Sequence, residues 1–181
     1  MFVPGNNDYF TPARPRPTGY LHDGPPRPRR PDLDWAGTAG RLEDAGWTDL
    51  THRRTALDVA GRTVVLTGTD DAHLRRARYE RVAGPVEGLG LGVTHTPQRG
   101  LLRTFADDGH ALVLAGHTHG GQLRLPWLGP AVTNCDLERT RARGLSPLVP
   151  GRPDGFLHVS AGLGTSPYLP VRLCCRPAPP R

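Results

Sequence analysis

Gly90–Gly121, GLGVTHTPQRGLLRTFADDGHALVLAGHTHGG, reads as strand, helix, strand. An apolar strand spans about Gly90 to Thr94, a helix about Gln98 to Asp108, and a second strand Ala111 to Ala115. That order is a βαβ unit, so the two strands are expected as parallel neighbours in a buried sheet. Both end in histidine: THTPQ places His95 directly after the first, and GHTHGGQ places His117 and His119 after the second. Ligand sites of open α/β sheets gather outside the carboxyl ends of parallel strands, where loops converge.

Adjacent strands would bring His95, His117 and His119 out side by side. Neutral imidazole nitrogens bind Zn, Mn, Fe or Ni, with carboxylates and amides completing the shell. Gly116, Gly120 and Gly121 suit this purpose, because glycine takes positive φ and lets backbone approach an ion or a phosphate. His95 alone reads as a buried, hydrogen-bonded histidine, whereas a glycine-flanked His-x-His at a strand end reads as metal-ligating.

Working outward, GTAGRLEDAGWTDL predicts a short helix from about Thr38 to Ala45 leading into an edge strand. The next stretch alternates around Ala60-Gly61, a hairpin signal whose second strand covers Arg62 to Thr67. Later strands are expected at Gln122–Leu125, Phe156–Ser160 and Val171–Cys175. Residues 11–31 hold seven prolines and five arginines and read as an extended surface loop. Residues 176–181 read as a tail.

The chain of 181 residues suits one domain with a modest core, and its 23 glycines and 20 prolines fit a loop-rich enzyme better than a helical bundle. A net charge of +6 would ordinarily suggest a nucleic-acid partner. All 23 basic residues are arginine, however, and isoleucine is absent, so the bias runs through the whole chain. With no aromatic-interleaved basic patch, nucleic acid is not expected as a partner. Cys135, Cys174 and Cys175 form no Cys-x-x-Cys pair, and the adjacent two are poorly placed for an ordinary disulfide, which suits a reducing, cytoplasmic compartment. No apolar run reaches the roughly 18 residues of a membrane span, and no signal-peptide pattern follows Met1.

The opening FVPGNNDYF reads as a strand running into a Gly-led loop, with Gly5, Asn6, Asn7 and Asp8 in the turn. Beside the histidine loops, an amide oxygen from this turn can join the same metal. The set GNND, THTP and GHTHGGQ, in that order, resembles the calcineurin-like metallophosphoesterase superfamily. The succession GHTHGGQLRLP, NCDLERTRARGLS, HVSAGLGTSPYLPVR looks like its predicted membrane-associated phosphohydrolase branch. The resemblance runs through nearly the entire chain, and GHTHGGQ carries most of its specificity.

The resemblance implies an α/β fold, a two-sheet sandwich flanked by helices, with a dinuclear centre of divalent metal ions (Mn, Fe, Zn or similar) that hydrolyses phosphate mono- or diesters. By motif, Asn6, His95 and His117 look like ligands of one metal and His119 like a ligand of the other. With two adjacent amides, Asn7 is the alternative to Asn6. The position after Asn6 usually holds a histidine that assists the leaving group; Asn7 occupies that catalytic slot here and cannot titrate. Relatives in the branch act on lipid-linked or nucleotide-sugar phosphates, so the implied partners are a phosphate-ester small molecule or lipid-linked substrate, with peripheral membrane association.

The family pattern begins upstream with Asp-x-His and Gly-Asp-x-x-Asp, and this chain starts after both. The expectation is an amino-terminally truncated, partial domain whose activity is impaired, or else a non-catalytic remnant that binds a metal or a partner. Loss of strands from a parallel sheet would leave an apolar edge unpaired. Asp70 and Asp71, in GTDDAH, are expected in a solvated turn, with a supporting place around the metal as the alternative.

Overall fold

Parallel strands that are buried on both faces need crossover connections and a helix to cover them, and the chain between β2 and β4 supplies both. The computed structural model describes residues 1–11, 30–166 and 169–178. Helix α1 (Trp35–Asp44) precedes a hairpin of β1 (Arg53–Val59) and β2 (Arg62–Gly68); β3 (Leu89–Val93), α2 (Arg99–Asp107) and β4 (Leu112–Ala115) follow. The short β5 (Arg124–Leu125), β6 (Gly129–Pro130), β7 (Gly144–Pro147) and β8 (Phe156–Val159) complete the order. The main sheet runs β1-β2-β3-β4-β8-β7, and β5-β6 form a separate two-stranded ladder.

The β2, β3, β4 and β8 strands pair in parallel, with Leu66 opposite Leu91, Leu91 opposite Leu112 and Val113 opposite Leu157. Both edges are antiparallel, β1 on β2 and β7 on β8. The sheet therefore ends on β1 and β7, which pair with no further strand among the described residues and expose Leu57, Val59 and Leu145. The outer strands are mostly exposed, open on arginines in β1 and end on Pro147 in β7, features that blunt a sheet edge.

Leu101, Leu102, Phe105 and Ala106 form the buried stripe of α2. They pack on Val113, Ala115, Leu157 and Val159 of the sheet, and Leu137 and Leu148 close the cluster. The Phe105 ring sits edge-on to Tyr79 at 4.9 Å and to His110 at 5.0 Å between centroids. Its close approach explains Gly92 in β3, where a Cβ would stand 2.8 Å from the Phe105 ring.

The βαβ unit and the Ala60-Gly61 hairpin lie where the sequence places them, with boundaries shifted by a residue or two. Four expectations change. Helix α1 starts at Trp35 rather than Thr38, because Asp34 caps it by accepting the Gly37 N–H at 2.9 Å. Val171–Cys175 is not a strand: Gln122 holds it through the Val171 carbonyl, leaving one isolated bridge, Leu123 to Leu173. The opening residues likewise make only a bridge, Phe2 to Asp49. In place of a full two-sheet sandwich stands a mixed six-stranded sheet with few helices and a two-residue ladder, an α/β arrangement consistent with a metallophosphoesterase-like fold. Most of the Pro/Arg-rich segment (12–29) and the end of the tail (179–181) lie outside the described residues.

Phe105 is fully buried at the helix–sheet contact. Phe105→Ala should cost about 3–5 kcal/mol of unfolding free energy, read as a fall in the urea midpoint with unchanged slope; a loss below about 1 kcal/mol would contradict this packing.

Candidate metal centre

The parallel register of β2, β3 and β4 brings their carboxyl ends to one side of the sheet. Three loops leave there: Thr69–His73, Thr94–Thr96 and Gly116–His119. A backbone bond from Gly116 N–H to the His95 carbonyl, 3.0 Å, ties the second to the third. The fourth contributor is the turn at Asn6–Asp8, closed by the Gly5 N–H donating to Asp8 Oδ2 at 2.7 Å. The Phe2–Asp49 bridge anchors that turn.

Gly5 lies flat against the His95 imidazole: a Cβ at that position would be 2.6–2.8 Å from three ring atoms. The contact brings Asn6 Oδ1 to 3.1 Å from His95 Nε2. His117 stands edge-on to His95, ring centroids 5.3 Å apart, and its Nε2 lies 3.0 Å from the Asn134 carbonyl. That carbonyl can only accept, so Nε2 of His117 carries the proton and its Nδ1 keeps a lone pair. Asn7 is exposed, and its Oδ1 accepts from the Asn6 amide at 3.5 Å.

His73 is a fourth member that motif reading does not select; its ring lies 4.8 Å from that of His117. The signal was present, since GTDDAH repeats the strand-then-polar-loop-then-histidine pattern of VTH and AGHTH on the neighbouring strand. Asp71 fastens this loop to the His95 loop. It is fully buried, and its Oδ1 accepts from the Thr96 hydroxyl at 2.5 Å and from the His73 N–H at 3.2 Å. Asp71 Oδ2 has no hydrogen-bond partner among the described residues. Asp70, also buried, accepts from Tyr9 (2.9 Å), Arg76 (2.9 Å) and the Asp71 N–H (2.6 Å). The solvated turn expected for this pair is therefore corrected: both carboxylates join loops together inside the protein.

His117 (φ 66°) and His119 (φ 50°) both take left-handed backbone, as do Gly120 and Gly121. A non-glycine residue in that region costs on the order of 1–3 kcal/mol, and such strain persists only where surroundings enforce it. Here Thr118 accepts from the Gly120 N–H and donates to the Ala142 carbonyl (2.7 Å). Arg172 donates to the His119 carbonyl (3.0 Å) and to those of Ala161 and Gly164. The buried Gln122 accepts from Ser166 N–H at 2.8 Å and donates to the Leu169 and Val171 carbonyls. His119 itself hydrogen-bonds the Gly164 backbone and lies near the Arg172 charge.

Burial holds all four imidazoles neutral. It pushes His95 down to about 4, and His117 well below its ordinary value with His95 and His73 adding repulsion. His73 and His119 are lowered by the same desolvation, which the Asp71 charge partly offsets for His73 and the Arg172 charge reinforces for His119. Asp71 is raised, again by burial first.

Neutral imidazoles beside an amide oxygen are a donor set suited to one divalent cation. In this structure His95 Nε2 donates to Asn6 Oδ1 at 3.1 Å, so ligation through Nε2 would require the ring proton to move to Nδ1. No group of three or more His, Cys, Asp or Glu side chains that could hold a metal occurs among the described residues, so the candidate set consists of two histidines and an amide.

The chain is similar to phosphodiesterase YaeI of Escherichia coli (strain K12), 30% identical over 136 residues that make up 75% of this chain and 47% of YaeI. It is 28% identical to the uncharacterized metallophosphoesterase YkuE of Bacillus subtilis (strain 168) over 135 residues, 73% of this chain and 44% of YkuE. It is also 31% identical over 87 residues, 47% of this chain, to the uncharacterized protein YpbG of the same organism, covering 33% of it. The chain thus spans from a third to about half the length of these curated relatives. No family model matches it, and no solved structure does. The two named relatives support a metallophosphoesterase-type family.

Because the unfolded chain takes up imidazole protons near pH 6.5 while folded His95 resists until about 4, stability should fall as pH drops through that window. Raised Asp71 acts the other way and is a single group. Urea midpoints at pH 7.5, 5.5 and 4.5 should decline in that order, with the His95 ring resonance titrating near pH 4; a His95 midpoint at 6.5 would contradict the burial argument.

Proposed function

We propose that the chain takes part in metal-dependent hydrolysis of phosphate mono- or diesters, with Asn6, His95 and His117 holding a divalent cation of the Mn, Fe or Zn type. The observation that carries this reading is the convergence of neutral imidazoles and an amide oxygen outside parallel strand ends. A bound divalent cation supplies a Lewis acid for phosphoryl oxygen and lowers the pKa of water. The protein residues present the donors uncharged, so no net proton is lost on binding at neutral pH, although His95 would pass its Nε2 proton to Nδ1. His119 hydrogen-bonds the Gly164 backbone beside the Arg172 charge, surroundings that suit an oxyanion of the substrate better than a second cation. Asn7 is exposed and can donate a hydrogen bond to a leaving-group oxygen, yet it has no proton to give.

A second reading, metal or partner binding without turnover, is favoured by two observations: that untitratable Asn7, and the engagement of Asp71 with Thr96 and His73 and of Asp8 with the Gly5 N–H. On the substrate side, lipid-linked phosphates and peripheral membrane association are supported by the β5–β6 hairpin, which follows the histidine loop directly. Its tip carries Trp127 and Leu128, 103% and 80% exposed, with Leu163 at 72%. An amphipathic tryptophan on an apolar projection suits a lipid interface.

Bis-p-nitrophenyl phosphate with Mn²⁺ is the direct test. Turnover that a chelator removes and that disappears in His95→Ala and His117→Ala is the expected result. Turnover unchanged in His117→Ala would overturn the assignment, and stoichiometric Mn²⁺ binding without turnover would select the second reading.

A further inference from the structure

Several positive charges gather where α2 begins, just after the His95 loop. Helix α2 opens on Arg99, a cation in the first turn, where the helix dipole favours anions. Arg103 stands one turn on, at the i,i+4 spacing at which like charges destabilise a helix. Arg141 is only 8% exposed. Its guanidinium is fixed in one orientation by Ser146 Oγ (3.1 Å), Glu138 (2.9 Å) and the carbonyls of Pro147 (2.6 Å) and Leu148 (3.0 Å).

These three guanidiniums line one cavity of about 240 Å³, walled otherwise by Glu138 and by Leu148 and Val149. Glu138 is the single carboxylate of the lining and is already shared, 3.4 Å from Arg99 and 2.9 Å from Arg141. Arg103 makes no hydrogen bond or ion pair among the described residues. The lining is left with two positive charges in excess. An arginine-rich surface alone says little in a chain whose basic residues are all arginine. Asp136 accepts from the Arg99 N–H at 2.9 Å and offsets the cation at the start of α2, so what sets this group apart is a buried, pre-oriented guanidinium lining one cavity with the Arg103 side chain, unpaired among the described residues.

We propose that this cavity is an anion site for the phosphate of a small phosphate monoester, whose apolar substituent lies against Leu148 and Val149. Arg103 and Arg99 supply the charge-assisted donors, and Arg141 provides a fixed positive wall. The site is separate from the imidazole cluster, none of whose histidines lines it, and it holds whether or not the chain hydrolyses phosphate esters.

Calorimetric titration of the full chain with phenyl phosphate and with inorganic phosphate, in buffer free of divalent cations, tests it. One phenyl phosphate should bind per chain, more tightly than inorganic phosphate. Arg103→Gln should weaken it by about tenfold or more, while His117→Ala leaves it unchanged. Arg103 is exposed, so the variant should fold with an unaltered or higher Tm in the absence of ligand; Arg99→Gln is the second variant. No binding at millimolar ligand, undiminished binding in both arginine variants, or loss of binding in His117→Ala would each overturn the site. Equal affinity for the two ligands would overturn the monoester assignment.

Discussion

Parallel pairing of β2, β3 and β4 is the constraint on which the rest depends. Parallel neighbours in one sheet share a direction, so the chain leaves all three at the same side and must return across a face to start the next. Each exit is a loop, and three loops confined to adjacent strand spacings of about 5 Å have little choice about what they meet. The side chains just past the strand ends are His73, His95 and His117. Their proximity is thus a consequence of sheet topology, and the glycines around them follow from the need to turn tightly with a ring on each turn.

Burial then sets their chemistry. An imidazole enclosed by protein and by other imidazoles resists charging, which leaves it neutral and ready to donate a lone pair. The left-handed backbone at His117 and His119 would relax if the loop were free, and Thr118, Gln122 and Arg172 prevent it through bonds to surrounding carbonyls. Much of the carboxyl-terminal segment serves this end. Arg172 and Cys175 both reach the His119 carbonyl, so the last stretch of described chain braces the histidine loop where the sequence suggests a strand.

What could be read beforehand was whatever depends on short-range pattern. Apolar runs bounded by glycine located the parallel strands, and strand-end position located His95, His117 and His119. The misses come from longer range. Asp70 and Asp71 have the composition of a turn, and only the neighbouring loop, through Thr96, makes them interior groups. His73 belongs to no recognised motif; its place follows from β2 lying beside β3, a fact of sheet order. Val171–Cys175 is apolar enough for a strand, but a buried glutamine side chain takes the Val171 carbonyl. Of the expected second sheet the described residues show only the β5–β6 ladder, in which Pro130 has no N–H with which to extend the pairing.

The chain is similar to a phosphodiesterase and to a metallophosphoesterase, and the proposal at the centre of this account is that Asn6, His95 and His117 share one cation. Anomalous diffraction from crystals grown with Mn²⁺ and measured at the manganese edge tests this most directly. The account predicts a single strong peak bounded by those three side chains. A saturated crystal with no peak there, or with its strongest peak elsewhere, would contradict it.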